Sequence, residues 1–274
     1  MLTGGITGRV TAVDMVDTGG HQHRLVLKLY RPDPDEPDSA RREAHVLMLL
    51  AASDLPVPRV IAVDPEGVEC GWPALLMTRM PGRRRQRPRE LAPWLRELAR
   101  LAARIHALPI PSLELARYQP WGLEDPLPMP RWWSDPEVWR TAVEVAKGQP
   151  PDEPHAFIHR DFHPGNVLWS GPRPSAIVDW LHGCWGPPSV DLAHCRLNLW
   201  LDNGPDAALD LLRAWRSHRP DFPGLHPYWD IVDAVSWIPD PKRDGVTRAR
   251  RYESFIVAAV RSLGSRSRTR PGRR

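Results

Sequence analysis

Apolar and polar positions alternate loosely from Val10 to Val16, and a second short apolar run spans Arg24 to Tyr30, with Asp17-Thr18-Gly19-Gly20 between them. That pattern predicts two strands joined by a turn, a β-hairpin. After the polar, Pro-rich stretch Pro32 to Pro37, apolar residues fall three and four apart over residues 39–52. This spacing predicts a helix with Asp38 or Ser39 as its N-cap. Pro56 and Pro58 end it, and Val57 to Asp64 with Pro73 to Thr78 predict two further strands. A new helical period starts near Glu90, where Leu91, Trp94, Leu98, Leu101, Ile105 and Leu108 share one face. Beyond it the pattern is mainly helical, apart from one hairpin after residue 165. The change of period follows Met80-Pro81-Gly82 and an arginine run, which marks a domain boundary. The expectation is therefore a small sheet lobe with one helix over residues 1–80, a helical lobe over 81–260, and a basic tail over 261–274.

Composition narrows the class. The chain has 274 residues, 42% hydrophobic and 26% charged, enough to bury a core of ordinary globular make-up. Cys70, Cys184 and Cys195 have no paired spacing, which argues against a disulfide framework and for a reducing compartment. The longest apolar run, Val46 to Ala52, falls far short of the roughly 20 residues that cross a bilayer. Gly4 and Gly5 interrupt the start before an apolar signal segment forms. A cytoplasmic protein without a membrane partner is expected. The formal net charge is +4, but the six arginines of RSLGSRSRTRPGRR at residues 261–274 exceed it and leave residues 1–260 at −2. That tail carries no aromatic residue for base stacking, so it is expected to be a disordered, solubilising end and nucleic acid is not an expected partner.

The densest chemistry lies in Phe157-Ile158-His159-Arg160-Asp161-Phe162-His163-Pro164-Gly165-Asn166-Val167-Leu168-Trp169, followed by Ile177-Val178-Asp179-Trp180. A four-residue loop at Gly171-Pro172-Arg173-Pro174 would pair Val167 with Val178, Leu168 with Ile177 and Trp169 with Ala176. Asn166 would then face Asp179 with Cβ atoms roughly 4.5–5.5 Å apart, close enough for an amide oxygen and a carboxylate to share one cation. Two protein oxygens, with water or phosphate completing the shell, suit Mg²⁺. Asp161 lies across the Pro164-Gly165 bend and can take or orient a hydroxyl proton beside a metal-bound phosphate. His159 is expected to hold that loop rather than to exchange protons.

Lysine usage adds a second site. Only Lys28, Lys147 and Lys242 occur among 37 basic residues, so lysine is used sparingly. Lys28 sits inside the apolar run Leu25-Val26-Leu27-Lys28-Leu29, where an ammonium is costly unless it meets an anion. Glu43 shares a helix face with Val46, Leu47 and Leu50 at i, i+3, i+4 and i+7, and is the expected partner.

With these residues in view, the chain resembles the aminoglycoside phosphotransferase family of small-molecule kinases. The resemblance runs along most of the chain. It implies an α+β fold of two-lobed, protein-kinase-like type: a small antiparallel-sheet lobe with one helix and a larger, mainly helical lobe. Lys28 resembles the lysine that holds the α- and β-phosphates of ATP, and Glu43 its helix partner. Asp161 resembles the catalytic aspartate of the H-x-D-x-x-x-x-N loop, with His159 its first residue, and Asn166 and Asp179 resemble the magnesium ligands. Gly186-Pro187-Pro188-Ser189-Val190-Asp191-Leu192-Ala193 is similar to the family's G-x-P-x-x-D-L-A segment, in which Asp191 would brace the catalytic loop. Leu75 to Gly82 is similar to the hinge, residues 77–82, whose backbone near Thr78 and Met80 would bond adenine. Gly5 and Gly8 would form the glycine loop, although relatives carry more chain ahead of it. Leu181 stands where many relatives have a polar residue. The implied cosubstrates are ATP, with GTP as an alternative donor, and Mg²⁺. The implied acceptor is a small molecule with a hydroxyl, such as an aminoglycoside-like amino sugar, or alternatively a macrolide, homoserine, choline, thiamine or a sugar.

Rival constellations carry less. His182, Cys184, His194 and Cys195 are soft ligands within fourteen residues, but without a C-x-x-C pair they suit buried thiols better than zinc. Between Trp200 and Asp244 there are eight Asp against five Lys or Arg, with five Trp or Tyr, which is either an acidic surface for a cationic sugar or an ordinary solvated surface around a tryptophan-rich core. A catalytically silent nucleotide-binding protein is the alternative from another class. It would have no need for Asp161.

Overall fold

The computed structural model describes residues 8–33, 36, 38–123, 127–222 and 224–268. β1 (Gly8–Val16) and β2 (Gln22–Tyr30) form the expected hairpin, running from Gly8 opposite Tyr30 to Val16 opposite Gln22. Asp17 builds its turn: one carboxylate oxygen accepts from the amides of Gly19 and His21, each at 2.9 Å. α1 (Ser39–Leu50) buries Glu43, Val46, Leu47 and Leu50 as its spacing requires. Asp38 does precede it, but in the left-handed region at φ 63° and without a side-chain cap. β3 (Val60–Asp64) and β4 (Ala74–Thr78) complete an antiparallel sheet in the order β1-β2-β4-β3. β5 (Arg83–Arg84) is a two-residue strand.

α2 (Leu91–His106) buries Trp94, Leu98, Leu101 and Ile105 on the face the sequence marked. α3 (Pro136–Lys147) is capped by Asp135, which accepts from the amides of Glu137 and Val138. β6 (Ala156–Ile158), β7 (Val167–Ser170), β8 (Arg173–Ile177) and β9 (Cys184–Gly186) follow, forming a β5-β7-β8 sheet and a separate β6-β9 pair. α4 (Pro188–Asn203), α5 (Pro205–His218), α6 (Pro227–Val235), α7 (Pro241–Asp244) and α8 (Val246–Arg268) end the chain. The fold is α+β with antiparallel sheets, as expected. No helix among the described residues is long and apolar enough to cross a membrane.

Contacts divide the described residues into two compact units. The first runs to Arg85 and takes in Leu113–Leu115 and Gly165–Gly183; the second holds Gln86–Ser112, Ala116–Pro164 and Cys184 onward. The first unit thus includes the β7–β8 hairpin, a segment that the sequence pattern alone assigns to the helical lobe. Its core centres on Leu25, Tyr30, Leu47, Leu50 and Leu75, and that of the second on Leu95, Leu98, Phe157, Trp215, Tyr252 and Phe255, all at most 3% exposed. Each such side chain contributes roughly 1.5–3 kcal/mol.

Two expectations need correction. The β7–β8 turn is tighter than four residues: Ser170 opposes Arg173, leaving Gly171-Pro172 as the turn, with Gly171 at φ +60°. Val167 therefore pairs with Ile177 and Leu168 with Ala176, with an irregularity before Trp169, so Asp179 lies beyond the strand and not opposite Asn166. The β6–β9 pair and β5 escaped notice because strands of two or three residues show no alternation. α8 runs to Arg268, anchored by Tyr252, Phe255, Ile256 and Ala259, and arginine is a good helix former. Residues 269–274 lie outside the described residues.

Candidate active site

In the first unit, β2 carries Lys28 between Val10 on β1 and Leu75 on β4. Its ammonium lies 2.6 Å from Glu43 Oε2 and 2.6 Å from Asp179 Oδ1, and the residue is 5% exposed. Glu43 is itself held by further donors: Tyr30 hydroxyl at 2.6 Å to Oε2 and the Trp180 amide at 3.1 Å to Oε1. Burial works against the lysine charge, but the Glu43 and Asp179 carboxylates outweigh it and hold the ammonium above its ordinary range. The same burial, with Glu43 beside it, pushes the Tyr30 phenol up. Lys28 is a fixed cation at every physiological pH.

Asp179 is one of three described non-glycine residues at positive φ, 68°, and its side chain is 28% exposed where Glu43 is 1% exposed. A left-handed aspartate past the end of a strand is a strained arrangement of a kind that clusters at functional sites. The amide of Val178 donates to the Asn166 carbonyl at 2.9 Å, which sets Asn166 beside Asp179 despite the one-residue change of register. Asn166 is buried and Leu181 is apolar and buried.

Asp179 and Lys28 line a cavity of about 740 Å³, together with Gly8, Val26, Thr78 and Met80. That volume is in the range of small-molecule and cofactor sites. Gly8 is obligatory there, since a Cβ on it would stand 1.9 Å from the Leu29 carbonyl oxygen. Gly5 lies outside the described residues. The Thr78 amide donates to the Arg59 carbonyl at 2.9 Å and its hydroxyl accepts from the Arg59 amide at 2.9 Å, while both Thr78 and Met80 line the cavity.

In the second unit, β6 ends at Ile158 and the chain turns through His159, Arg160 and Asp161. Arg160 is at φ 68°, and the amides of His159 and Arg160 both donate to the Asp191 carboxylate, at 3.0 and 2.6 Å. Asp191, on α4, is fully buried and also receives His106 Nε2 from α2 at 2.9 Å. The loop is braced as the resemblance implied, and His106 is a member of the brace that the sequence did not mark. The His159 ring is buried against Phe162, with centroids 6.2 Å apart, and its Nδ1 accepts from the Asp161 amide at 3.3 Å. The Arg160 guanidinium lies 3.9 Å over Trp121 and 4.8 Å over Tyr118.

Asp161 meets His194 on α4 at 3.0 Å, and His163 approaches it at 3.9 Å. Burial would raise the Asp161 carboxyl, but the His194 bond and charge, with His163 and His159 nearby, hold it well below the usual carboxylate range. The other nitrogen of His194 lies 2.9 Å from Asp233 on α6. Burial opposes the imidazolium, yet Asp233 and Asp161 raise its pKa well above the ordinary histidine value. The soft-ligand set does not form around it, because both His194 nitrogens face carboxylates. Cys184 and Cys195 are buried thiols that burial pushes up, Cys184 to about 12. In the acidic, aromatic stretch Trp215, Tyr228 and Trp229 are buried and Asp230 pairs with Arg196 at 3.1 Å, whereas Trp237 is 37% exposed and the other seven Asp are exposed or half-buried.

A model described as the phosphotransferase enzyme family matches residues 5–237 of the chain. The homoserine kinase of Pseudomonas aeruginosa is 33% identical over 236 residues, covering 80% of this chain and 70% of that protein. The homoserine kinase of Parvibaculum lavamentivorans is 33% identical over 89 residues, 31% of this chain and 27% of that one. Among solved structures, a thermostable mutant of the aminoglycoside phosphotransferase APH(4)-Ia, in ternary complex with ADP and hygromycin B, aligns with TM-score 0.67 at 19% identity over 95% of this chain and 92% of that one. The macrolide 2'-phosphotransferase MphH from Brachybacterium faecium aligns with TM-score 0.55 at 18% identity over 98% and 91% of the two chains. At such identities the likeness to the solved structures is one of fold.

Proposed function

Because the chain belongs to the phosphotransferase enzyme family, with a protein-kinase-like fold and an alcohol as acceptor, we propose that it transfers the γ-phosphate of ATP, with Mg²⁺, to the hydroxyl of a compact small molecule. The observation that carries this proposal is Lys28, buried between Glu43 and Asp179 on the wall of a ligand-sized cavity. Glu43 is sealed and orients the ammonium, while Asp179 is the partly exposed member. Lys28 is the point charge for the inner phosphates of the donor, and the backbone near Thr78 and Met80 is the contact for its base.

Asp179 and Asn166 fit a magnesium ion by donor chemistry, since one carboxylate and one amide oxygen leave the rest of an octahedral shell to water and phosphate. When bound, the metal supplies charge neutralisation on the phosphate oxygens. Asp161 orients the acceptor hydroxyl and receives its proton as the acceptor oxygen bonds to the γ-phosphorus and the bond to the β-phosphate oxygen breaks, releasing ADP. His159, Asp191 and His106 hold the loop in place for that task. The account assigns most of the rate to positioning and charge.

For the acceptor, the sequence relatives favour homoserine over an amino sugar. The 33% identity to a homoserine kinase spans most of both chains, whereas the aminoglycoside enzymes are similar in fold alone. The test is incubation with radiolabelled ATP, Mg²⁺ and a panel of L-homoserine, hygromycin B, a macrolide, choline and thiamine. Labelled homoserine phosphate is the expected product. Label on hygromycin B instead would correct the acceptor, and nucleotide binding with no label on any acceptor would favour a silent nucleotide-binding protein.

A further inference from the structure

His194 has no part in the transfer described above, yet it is in direct contact with Asp161. Its Nε2 lies 3.0 Å from Asp161 Oδ1 and its Nδ1 2.9 Å from Asp233 Oδ1. A neutral imidazole donates from one nitrogen only, so a ring bonded through both nitrogens to two ionised carboxylates is doubly protonated. The side chains of His194 and Asp233 are 19% and 15% exposed, and Asp233 Oδ2 is buried without a hydrogen-bond partner. This is an expensive arrangement to keep for packing alone. Asn198, one turn further along α4, donates from Nδ2 to the His194 carbonyl at 3.0 Å and stands 3.3 Å from the same ring Nε2.

Resting on the assignment of Asp161 as the catalytic aspartate, we propose that His194 is a positioning residue, held as an imidazolium by Asp233, that fixes the Asp161 carboxylate in the orientation in which it meets the acceptor hydroxyl. The carboxylate cannot rotate about its Cβ–Cγ bond without breaking a charge-assisted bond to a ring clamped at its other end. The other titratable and charged groups in this neighbourhood are His163, whose ring stands edge-on to His194 at 5.5 Å, His159 near Asp161, and Tyr118, Arg160, Asp230 and Tyr252 around Asp233. Asp161, His163 and His194 also bring one ligand atom each within 4.8 Å of the others, a spacing that a metal ion could bridge. A neutral ring that donates Nδ1–H to Asp233 would keep Nε2 for a metal, and the protonation and metal measurements below separate that arrangement from the imidazolium.

The test joins a spectroscopic measurement to a kinetic one on the full chain. Ring-nitrogen NMR of the ¹⁵N-histidine protein, with His194→Gln to assign the signal, should show His194 doubly protonated at about pH 8, and in Asp233→Asn titrating nearer the ordinary value of about 6.5. In acceptor-free MgATP hydrolysis and in transfer to L-homoserine, His194→Gln and Asp233→Asn should each lower kcat roughly 10- to 100-fold while leaving KM for ATP unchanged. A neutral His194 at neutral pH in the wild-type protein would overturn the proposal, as would stoichiometric zinc that is lost in His194→Gln. Failure of the underlying assignment looks different. If Asp161→Asn keeps its turnover, Asp161 is not catalytic whatever the histidine spectrum shows. If Asp161→Asn is inactive but His194→Gln matches wild-type kcat and pH profile, the positioning role alone is wrong.

Discussion

In the first unit Lys28 lies 2.6 Å from each of Glu43 and Asp179, and in the second His194 lies 3.0 Å from Asp161 and 2.9 Å from Asp233. Each is one cation between two carboxylates from different elements. The cations differ in kind. Lysine beside two carboxylates stays charged throughout the working range of a cell, so the first cluster is a permanent fixture. Histidine starts from an ordinary pKa near neutrality and is charged here only because its neighbours make it so, so the second cluster is conditional on Asp161 and Asp233 together. A site for a polyanion needs the permanent kind, whereas a site that handles one proton can be built on the conditional kind.

The sharpest break in that comparison is Lys28→Met. It strands the Glu43 carboxylate in the interior without its cation, and should lower unfolding free energy in urea by about 3–5 kcal/mol as well as abolish ATP binding by calorimetry. Next is Asp191→Ala, which orphans the His159 and Arg160 amides and His106 Nε2. With unmade buried bonds at about 1–3 kcal/mol each, a loss of about 3 kcal/mol is expected by the same denaturation measurement. Tyr30→Phe removes one donor from Glu43 and leaves Lys28 in place, and should cost about 1.5 kcal/mol.

The smallest effect separates the two clusters most cleanly. His194 has a folded pKa raised above 6.5, so its contribution to stability is complete below that value and is lost as pH rises toward the folded one. Asp161 has a folded pKa depressed below 3.8, so its contribution is present above that value and is lost as pH falls beneath it. Stability should therefore be highest between these limits and decline above about pH 6.5 by at most about 1.4 kcal/mol per pH unit. Denaturation curves of His194→Gln should lack that alkaline decline. Lys28 adds no slope over the same interval, because its charge does not change there.

The difference between the clusters also explains what the sequence could reveal. Lys28 and Glu43 were legible because each sits in a regular element: a lone lysine in an apolar strand, and a glutamate in phase with Val46, Leu47 and Leu50. Asp161, Asn166 and Asp179 were legible as a spaced group within one stretch of chain. The Asn166–Asp179 register was not, because a glycine at positive φ shortened the turn by an amount that composition does not encode. His194, Asp233 and His106 come from three helices distant in sequence, and their convergence depends on how α2, α4 and α6 pack. His194 stands three residues past Asp191 on the same helix, one turn from the loop brace, and the sequence marked it as a soft ligand rather than as a neighbour of Asp161.

The central claim is that Asp161 acts on the acceptor while the donor is bound by other residues. Its most direct test is Asp161→Asn, compared with wild type for ATP affinity by calorimetry and for phosphate transfer to L-homoserine with radiolabelled ATP. Transfer should fall by about 10²- to 10⁴-fold at unchanged ATP affinity. Transfer within a few-fold of wild type, with ATP still bound, would contradict it.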